Sequence, residues 1–306
     1  MIKTADLKNE IIQLDKELIL VDNINYPFAS LMLQKRSTPA SSVIVNWKYE
    51  NLNETNTPAF EGAEIDAFLK SDRSTGDKNI CQIFSKAVAV SGTADAVSLE
   101  NIRDVFSHEI VNRLIEAKRD LEHYLINGVY QYETTTKPRQ MKGLLNFITG
   151  DNAMTDTEVT LAILQEMAKK MRKAGTSSQN LMLLCDYNMT DAINTFFEDK
   201  QRYIVIDNEF GNPVKKINLT YGSAFVYTLD SMPEDTMALV NLDYLGLAEL
   251  RKMQYHDLAK SGDSKKGFVV CENTLKFLHP TAGVKFTKTD EEIDEEIDEE
   301  IDEDEQ

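Results

Sequence analysis

From Ser98 to Gly128 the chain runs for 31 residues without a proline or an interior glycine, and this stretch limits what the rest can build. Leu99, Ile102, Phe106, Ile110, Leu114, Ala117, Leu121 and Leu125 recur at steps of three or four, which keeps one apolar stripe on one helical face. Ser98 suits the N-cap, Glu100 the first turn, and Asn127-Gly128 a left-handed stop. A helix of that length spans about 45 Å, more than a compact enzyme domain usually needs. The opposite face carries Arg103, Asp104, Glu109, Arg113, Glu116, Lys118, Arg119, Asp120 and Glu122. The expected element is a spine with one packed side and one charged side.

The formal charge of −18 is concentrated at the C-terminal end. Residues 290–306 hold 13 acids and no base, so the remainder sums to only −5. Such a body has no excess of positive charge for a sequence-reading nucleic-acid module. Glu-Glu-Ile-Asp occurs three times in succession from Glu291, and like charges four residues apart oppose a helix; the segment reads as a solvated, disordered tail. Cys81, Cys185 and Cys271 are far apart and odd in number, which fits reduced core thiols of a cytosolic protein. No apolar run is long enough to span a bilayer and the first residues lack a signal-peptide core, so the chain is expected to stay where it is made.

Ahead of the spine, residues 6–20 read as an amphipathic helix with Leu7, Ile11, Leu14 and Leu18 on one face. Tyr26-Pro27 and Thr38-Pro39 resist helix continuation. Residues up to 40 therefore read as an extended arm, anchored through Phe28, Leu31 and Leu33 on its own core or on a neighbouring subunit. Residues 41–50 alternate Val43, Val45, Trp47 and Tyr49 against Ile44, Asn46 and Lys48, a two-faced strand whose expected return is 80–90. Nearly thirty residues, rich in Asn, Thr, Asp and Gly, separate the two, a length that suits a projecting hairpin.

Beyond the spine, residues 141–150 return to an apolar surface, and Thr155 with Glu158 reads as a capping box before a helix that Gly175 stops. Short apolar strands at 181–185, 204–206, 224–228 and 237–242, with a helix at 187–197, mark an α/β unit over 151–244. Strands at 245–250 and 267–278 are expected to return to the spine.

The sequence contains no phosphate-cradling glycine loop, Rossmann fingerprint, zinc-protease helix or nucleophile elbow. His108, His123, His256 and His279 are isolated, and Lys260 to Lys266 reads as a hairpin turn before a phosphate loop. The tail carboxylates lack the turn glycine and fixed geometry of a cation site. No catalytic, cofactor-binding or metal residue is assigned, and an enzyme is not expected.

Asn46-Trp47, Glu61-Gly62-Ala63, KNICQIFSKAVAVSGT (78–93), EAKRDLEHYLING (116–128), RQMKGLLNFI (139–148) and LAKSGDSKKGFVVCENTLKFLHP (258–280) follow in one order. In that order they resemble a family of tailed-bacteriophage major capsid, or major head, proteins over about residues 6–285. The resemblance implies an α+β shell fold: an N-terminal arm (1–40), an extended hairpin loop (41–90), a peripheral domain with the spine helix (91–150), an axial α/β domain (151–244), return strands of the peripheral domain (245–289) and an acidic tail (290–306). It implies self-assembly as pentamers and hexamers into an icosahedral or prolate head in the host cytoplasm, enclosing double-stranded DNA without reading its sequence. A portal protein is the implied partner. Because no long scaffolding helix precedes the arm, a separate scaffold protein or none is implied. Trp47 and Tyr49 are expected as hairpin anchors, Phe28 as an arm anchor, and Lys118, Arg119 and Asp120 as a charged cluster on the spine. The alternatives are another virion component of tail or sheath, and an α/β enzyme with an unrecognised site.

Overall fold

The computed structural model describes residues 26–52, 58, 61–62, 71–96, 104–198, 204–206, 214–259 and 262–289. The expected helix at 6–20, the cap at Ser98, most of the long loop and the acidic tail lie outside them.

Pro27 opens a helix instead of blocking one. The first helical position needs no backbone N–H and suits a fixed φ, so α1 (Pro27–Lys35) begins at the proline. Phe28, Ala29, Leu31 and Met32 are buried, which corrects the extended-arm expectation for these residues; Phe28, 1% exposed, spends its surface inside its own chain. Tyr26 supplies no side-chain cap, and the Ala29 N–H donates instead to a Glu122 carboxylate oxygen at 3.0 Å. Burial pushes the Glu122 carboxyl up to about 7, against the pull of the Ala29 and Phe28 backbone.

This shift has a definite sign. Below about pH 4.5 Glu122 is protonated whether the chain is folded or not; between there and about 7 only the unfolded chain releases the proton. Folding stability therefore falls across that window, by roughly 3 kcal/mol for this one group. Glu122→Gln, which keeps the acceptor for Ala29, is expected to be as stable as the parent near the low end and more stable near the high end. Urea unfolding of both chains across the window checks it, and a constant difference between them would refute it.

After β1 (Ser37–Pro39), β2 (Ile44–Lys48) pairs antiparallel with β3 (Gly76–Ile80), Ile44 opposite Ile80 and Lys48 opposite Gly76. An Asn51–Asp72 bridge carries the pairing toward the long loop. At Gly76 a side chain would run into the Trp47 carbonyl oxygen, so the close approach of the two strands requires glycine. The return strand expected at 80–90 is two strands broken at Cys81. Its N–H donates to the Val43 carbonyl at 2.7 Å as the hairpin ends, and β4 (Gln82–Ser91) then enters a different sheet. Along β4, Gln82, Phe84, Val88 and Val90 are buried while Ile83, Ser85, Ala87 and Ala89 are exposed, the period of a half-buried strand.

The short α2 (Gly92–Ala96) precedes the spine, α3 (Val105–Asn127). Asp104 caps α3: its carboxylate accepts from the Ser107 N–H at 3.1 Å and from the Ser107 hydroxyl at 2.6 Å. The spine is thus 23 residues, about 35 Å. Its stop also differs from expectation, because Gly128 is not among the left-handed glycines of the described residues. The Gly128 carbonyl accepts from the Gly143 N–H at 2.7 Å, and a side chain on either glycine would strike the other segment's backbone. The spine ends where two segments cross.

α4 (Leu144–Phe147) follows, buried through Leu144, Leu145 and Phe147. The capping box at Thr155 and Glu158 does not form, because β5 (Ala153–Asp156) is drawn into a sheet; Thr160 caps α5 (Leu161–Lys173) instead. Then come β6 (Leu181–Cys185), α6 (Tyr187–Glu198), β7 (Ile204–Ile206), β8 (Val214–Leu219), β9 (Gly222–Thr228), β10 (Thr236–Asn241), β11 (Leu245–Asp257), β12 (Ser264–Phe277) and β13 (Gly283–Lys288). A seven-stranded sheet has the order β5-β13-β10-β6-β9-β8-β7. Leu164, Met167 and Met171 of α5 and Met189 and Ile193 of α6 share one core with Leu183, Leu239, Val284 and Phe286 of the sheet. β13, inside the 245–289 span but not read as a strand from the sequence, lies between β5 and β10, where its buried Val284 and Phe286 complete that core. A four-stranded sheet has the order β1-β11-β12-β4. Leu258 N–H donates to the Lys266 carbonyl at 2.9 Å, so the chain is paired on both sides of the β11–β12 connection, of which Lys260 and Ser261 lie outside the described residues.

By contact density the described chain falls into two compact units, one from Ser85–Ala117 and Met253–Val270, the other from Tyr26–Phe84, Lys118–Lys252 and Cys271 onward. In the first, Arg113 pairs with Glu109 at 2.9 Å and with Glu116, and Lys265 pairs with Asp95 at 2.6 Å. The sites below belong to the second.

Candidate assembly elements

The base of the long loop is braced by aromatics. Trp47, on β2, lies 6.0 Å from the Phe147 ring, which stacks on Phe277 at 5.6 Å, while Lys142 Nζ sits 4.3 Å over Phe147. The Trp47 indole N–H donates to the Tyr49 hydroxyl at 3.1 Å, which reaches the Phe277 carbonyl at 3.5 Å. Burial holds the Tyr49 phenol above its ordinary range, with Asp77 adding to it and the Trp47 bond opposing it. The two expected anchors are therefore brought together, and their visible bonds fix the loop base to its own chain. Tyr49→Phe is expected to cost about 1 kcal/mol in urea unfolding, the worth of an ordinary hydrogen bond; no change would mean that the 3.5 Å contact carries nothing.

Asn79, completely buried on β3, uses its whole amide. Its oxygen accepts from Ile80 and Lys142 N–H at 2.9 and 2.8 Å, and its nitrogen donates to the Lys142 and Leu275 carbonyls at 2.9 and 2.8 Å. Beside it, Gln82 Oε1 accepts from the Met141 N–H at 3.1 Å. Glu272, on β12, binds Arg139 and accepts from Arg251 Nε at 2.8 Å. None of these residues stood out in the sequence, although the motifs at 78–93, 139–148 and 258–280 contain Asn79, Gln82, Arg139 and Glu272.

The spine residues Lys118, Arg119 and Asp120 do not converge. Consecutive residues on a helix point about 100° apart. Arg119 Nε lies 3.7 Å from Asp120, whereas Lys118 is half-buried, which depresses its ammonium, and it senses Glu122. Several apolar side chains instead face solvent: Leu52 at 78%, Val129 at 61% and Tyr132 at 46% exposure. Tyr132 accepts from Lys78 Nζ at 3.4 Å, at the same loop base. Cys81, Cys185 and Cys271 are buried free thiols, and burial raises Cys81 to about 11 and Cys271 to about 12.

The fold matches solved shell proteins. The capsid of cyanophage A-1(L) superposes with a TM-score of 0.66 at 14% identity, covering 94% of this chain and 98% of that one. The SrpI encapsulin of Synechococcus elongatus gives 0.64 at 13%, covering 91% and 93%. The capsid of the native GTA particle gives 0.61 at 10%, covering 94% and 98%. At these identities the likeness is one of fold, and the fold alone does not separate a phage head from an encapsulin. No curated protein matches the chain in sequence. The family model for the SU10 major capsid protein, however, matches residues 1–290. The chain belongs to that family.

As a major capsid protein it is a structural component of the virion that assembles with copies of itself, and it is not an enzyme. The resemblance read from the ordered motifs is confirmed, as is the α+β capsid shell fold. The family match stops at 290, where the acidic tail begins.

Proposed function

We propose that this capsid protein assembles in the host cytoplasm as pentamers and hexamers into an icosahedral or prolate head. The head encloses double-stranded DNA, with a portal protein as a further partner. The long loop lies across a neighbouring subunit, and Trp47 and Tyr49 serve assembly by setting its departure angle. Tyr132 adds apolar surface at the same base, and Arg119 and Asp120 on the spine meet charges of the adjacent copy while Lys118 works from behind them. Phe28 has no such role. The observation that carries this reading is the loop base, where ring stacking and hydrogen bonds hold a stem from which some twenty residues continue between Asn51 and Asp72. A loop so rigidly footed suits a partner surface better than its own.

Negative-stain microscopy of the chain, expressed alone and with its neighbouring virion genes, together with sedimentation velocity, tests it. Closed shells, or rings of five and six, are expected; a uniform small species under both conditions would defeat the reading. The acidic tail is assigned to the outer surface, because packaged DNA would repel it. An external protease should remove residues 290–306 from filled particles quickly, and full protection would defeat the outer-surface assignment.

A further inference from the structure

We infer that the acidic tail, residues 290–306, docks on a basic groove of its own chain, formed by α5 and the β8–β9 turn. The groove encloses about 370 Å³ and is lined by Gln165, Glu166, Lys169, Lys170, Lys173 and Tyr221 among others. Arg172 adds a further cation in the last turn of α5. Lys170 Nζ is committed to the Asp151 carbonyl at 2.8 Å, but Lys169, Arg172 and Lys173 have no carboxylate partner among the described residues. Cations at a helix C-terminus answer the helix dipole. Here they also flank a concave surface with an aromatic wall and a single carboxylate, Glu166.

The path from β13 makes the tail the natural occupant. Lys288 lies opposite Asp156 in the parallel β13–β5 ladder, and the Thr289 N–H donates to the Asp156 carbonyl at 3.0 Å, so the chain leaves the sheet close to the start of α5. The basic turn is at the far end of a 13-residue helix, about 20 Å away. Six extended residues cover that distance, and the tail has 17. A groove nearer the exit, lined by Glu158, Asn188, Asp235 and Lys288, carries two carboxylates and would repel it. The tail has 13 acids and no internal base, so the groove offers counter-charge it cannot find within itself. Tethering holds it near the groove at roughly millimolar effective concentration, enough for weak, screened pairings to be populated. The inference does not rest on the proposed shell.

Carbodiimide coupling, which joins a carboxylate directly to an amine, tests this on the full-length chain with peptide mass spectrometry. Tail carboxylates are expected to couple to Lys169 or Lys173 in molecules that still run as monomers on a denaturing gel. The yield should fall at least about fivefold at about 0.5 M salt, where the Debye length is only about 4 Å. It should fall several-fold in Arg172→Glu, a change at an exposed position that leaves both amines in place. Coupling to other lysines, or only to added glycinamide, would overturn the inference. Coupling through Lys169 or Lys173 that yields covalent dimers would overturn its assignment to the same chain.

Discussion

Replacing Glu272 with alanine is expected to lower the unfolding free energy by roughly 3–5 kcal/mol, the usual cost of stranding a buried charge. Glu272 is 4% exposed and lies between two guanidiniums, Arg139 on one oxygen and Arg251 on the other. Arg139, with a side chain only 16% exposed, would keep, among the described residues, the Glu133 carboxylate at 3.7 Å, itself largely in solvent. The pair need not be a net source of stability, since an apolar replacement of both partners can equal it. Arg139→Leu combined with Glu272→Leu should therefore cost clearly less than the two single changes added together. Urea unfolding of the unassembled chain measures the cycle, and strict additivity would show that the two residues do not act on each other.

Asn79→Ala is the second large effect, roughly 3 kcal/mol, because each buried backbone group left without a partner costs about 1–3 kcal/mol. The substitution frees the Lys142 N–H and carbonyl and the Leu275 carbonyl together, and removes the amide that ties β3 to both segments. The consequence should extend beyond stability. With the stem of the long loop loosened, limited proteolysis between Asn51 and Asp72 is expected to accelerate at protease levels that leave the parent intact, and the yield of closed particles to drop. Asn79→Asp keeps the acceptor but loses both donors and buries a charge, so it should not rescue. Unchanged cleavage and unchanged unfolding in Asn79→Ala would remove Asn79 from the account.

What the sequence made legible was local burial. Helical periodicity placed the spine, and unbroken apolarity placed β6. The same signal cannot say which sheet a strand joins. It therefore missed that β13 completes the seven-stranded sheet, and that the strand at 80–90 changes sheets at Cys81. Tyr26-Pro27 misled because proline ends one helix and starts another equally well. The deeper omission concerns polar residues. Asn79, Glu122 and Glu272 look like surface in sequence, yet their partners lie far along the chain: Asn79 meets Leu275 across 196 residues and Glu122 meets Ala29 across 93. Composition carries no trace of such pairs. The one hint was that Asn79, Arg139 and Glu272 fall inside the motifs that carried the family resemblance.

Trp47 is the single tryptophan of the chain. Its indole, bonded to Tyr49 and set against Phe147, is thus a built-in optical reporter for one place only, the foot of the long loop. Emission wavelength and quenching would follow that foot through assembly and DNA filling with no label attached, and an emission shift would read the environment of that one indole, unmixed with signals from elsewhere in the subunit.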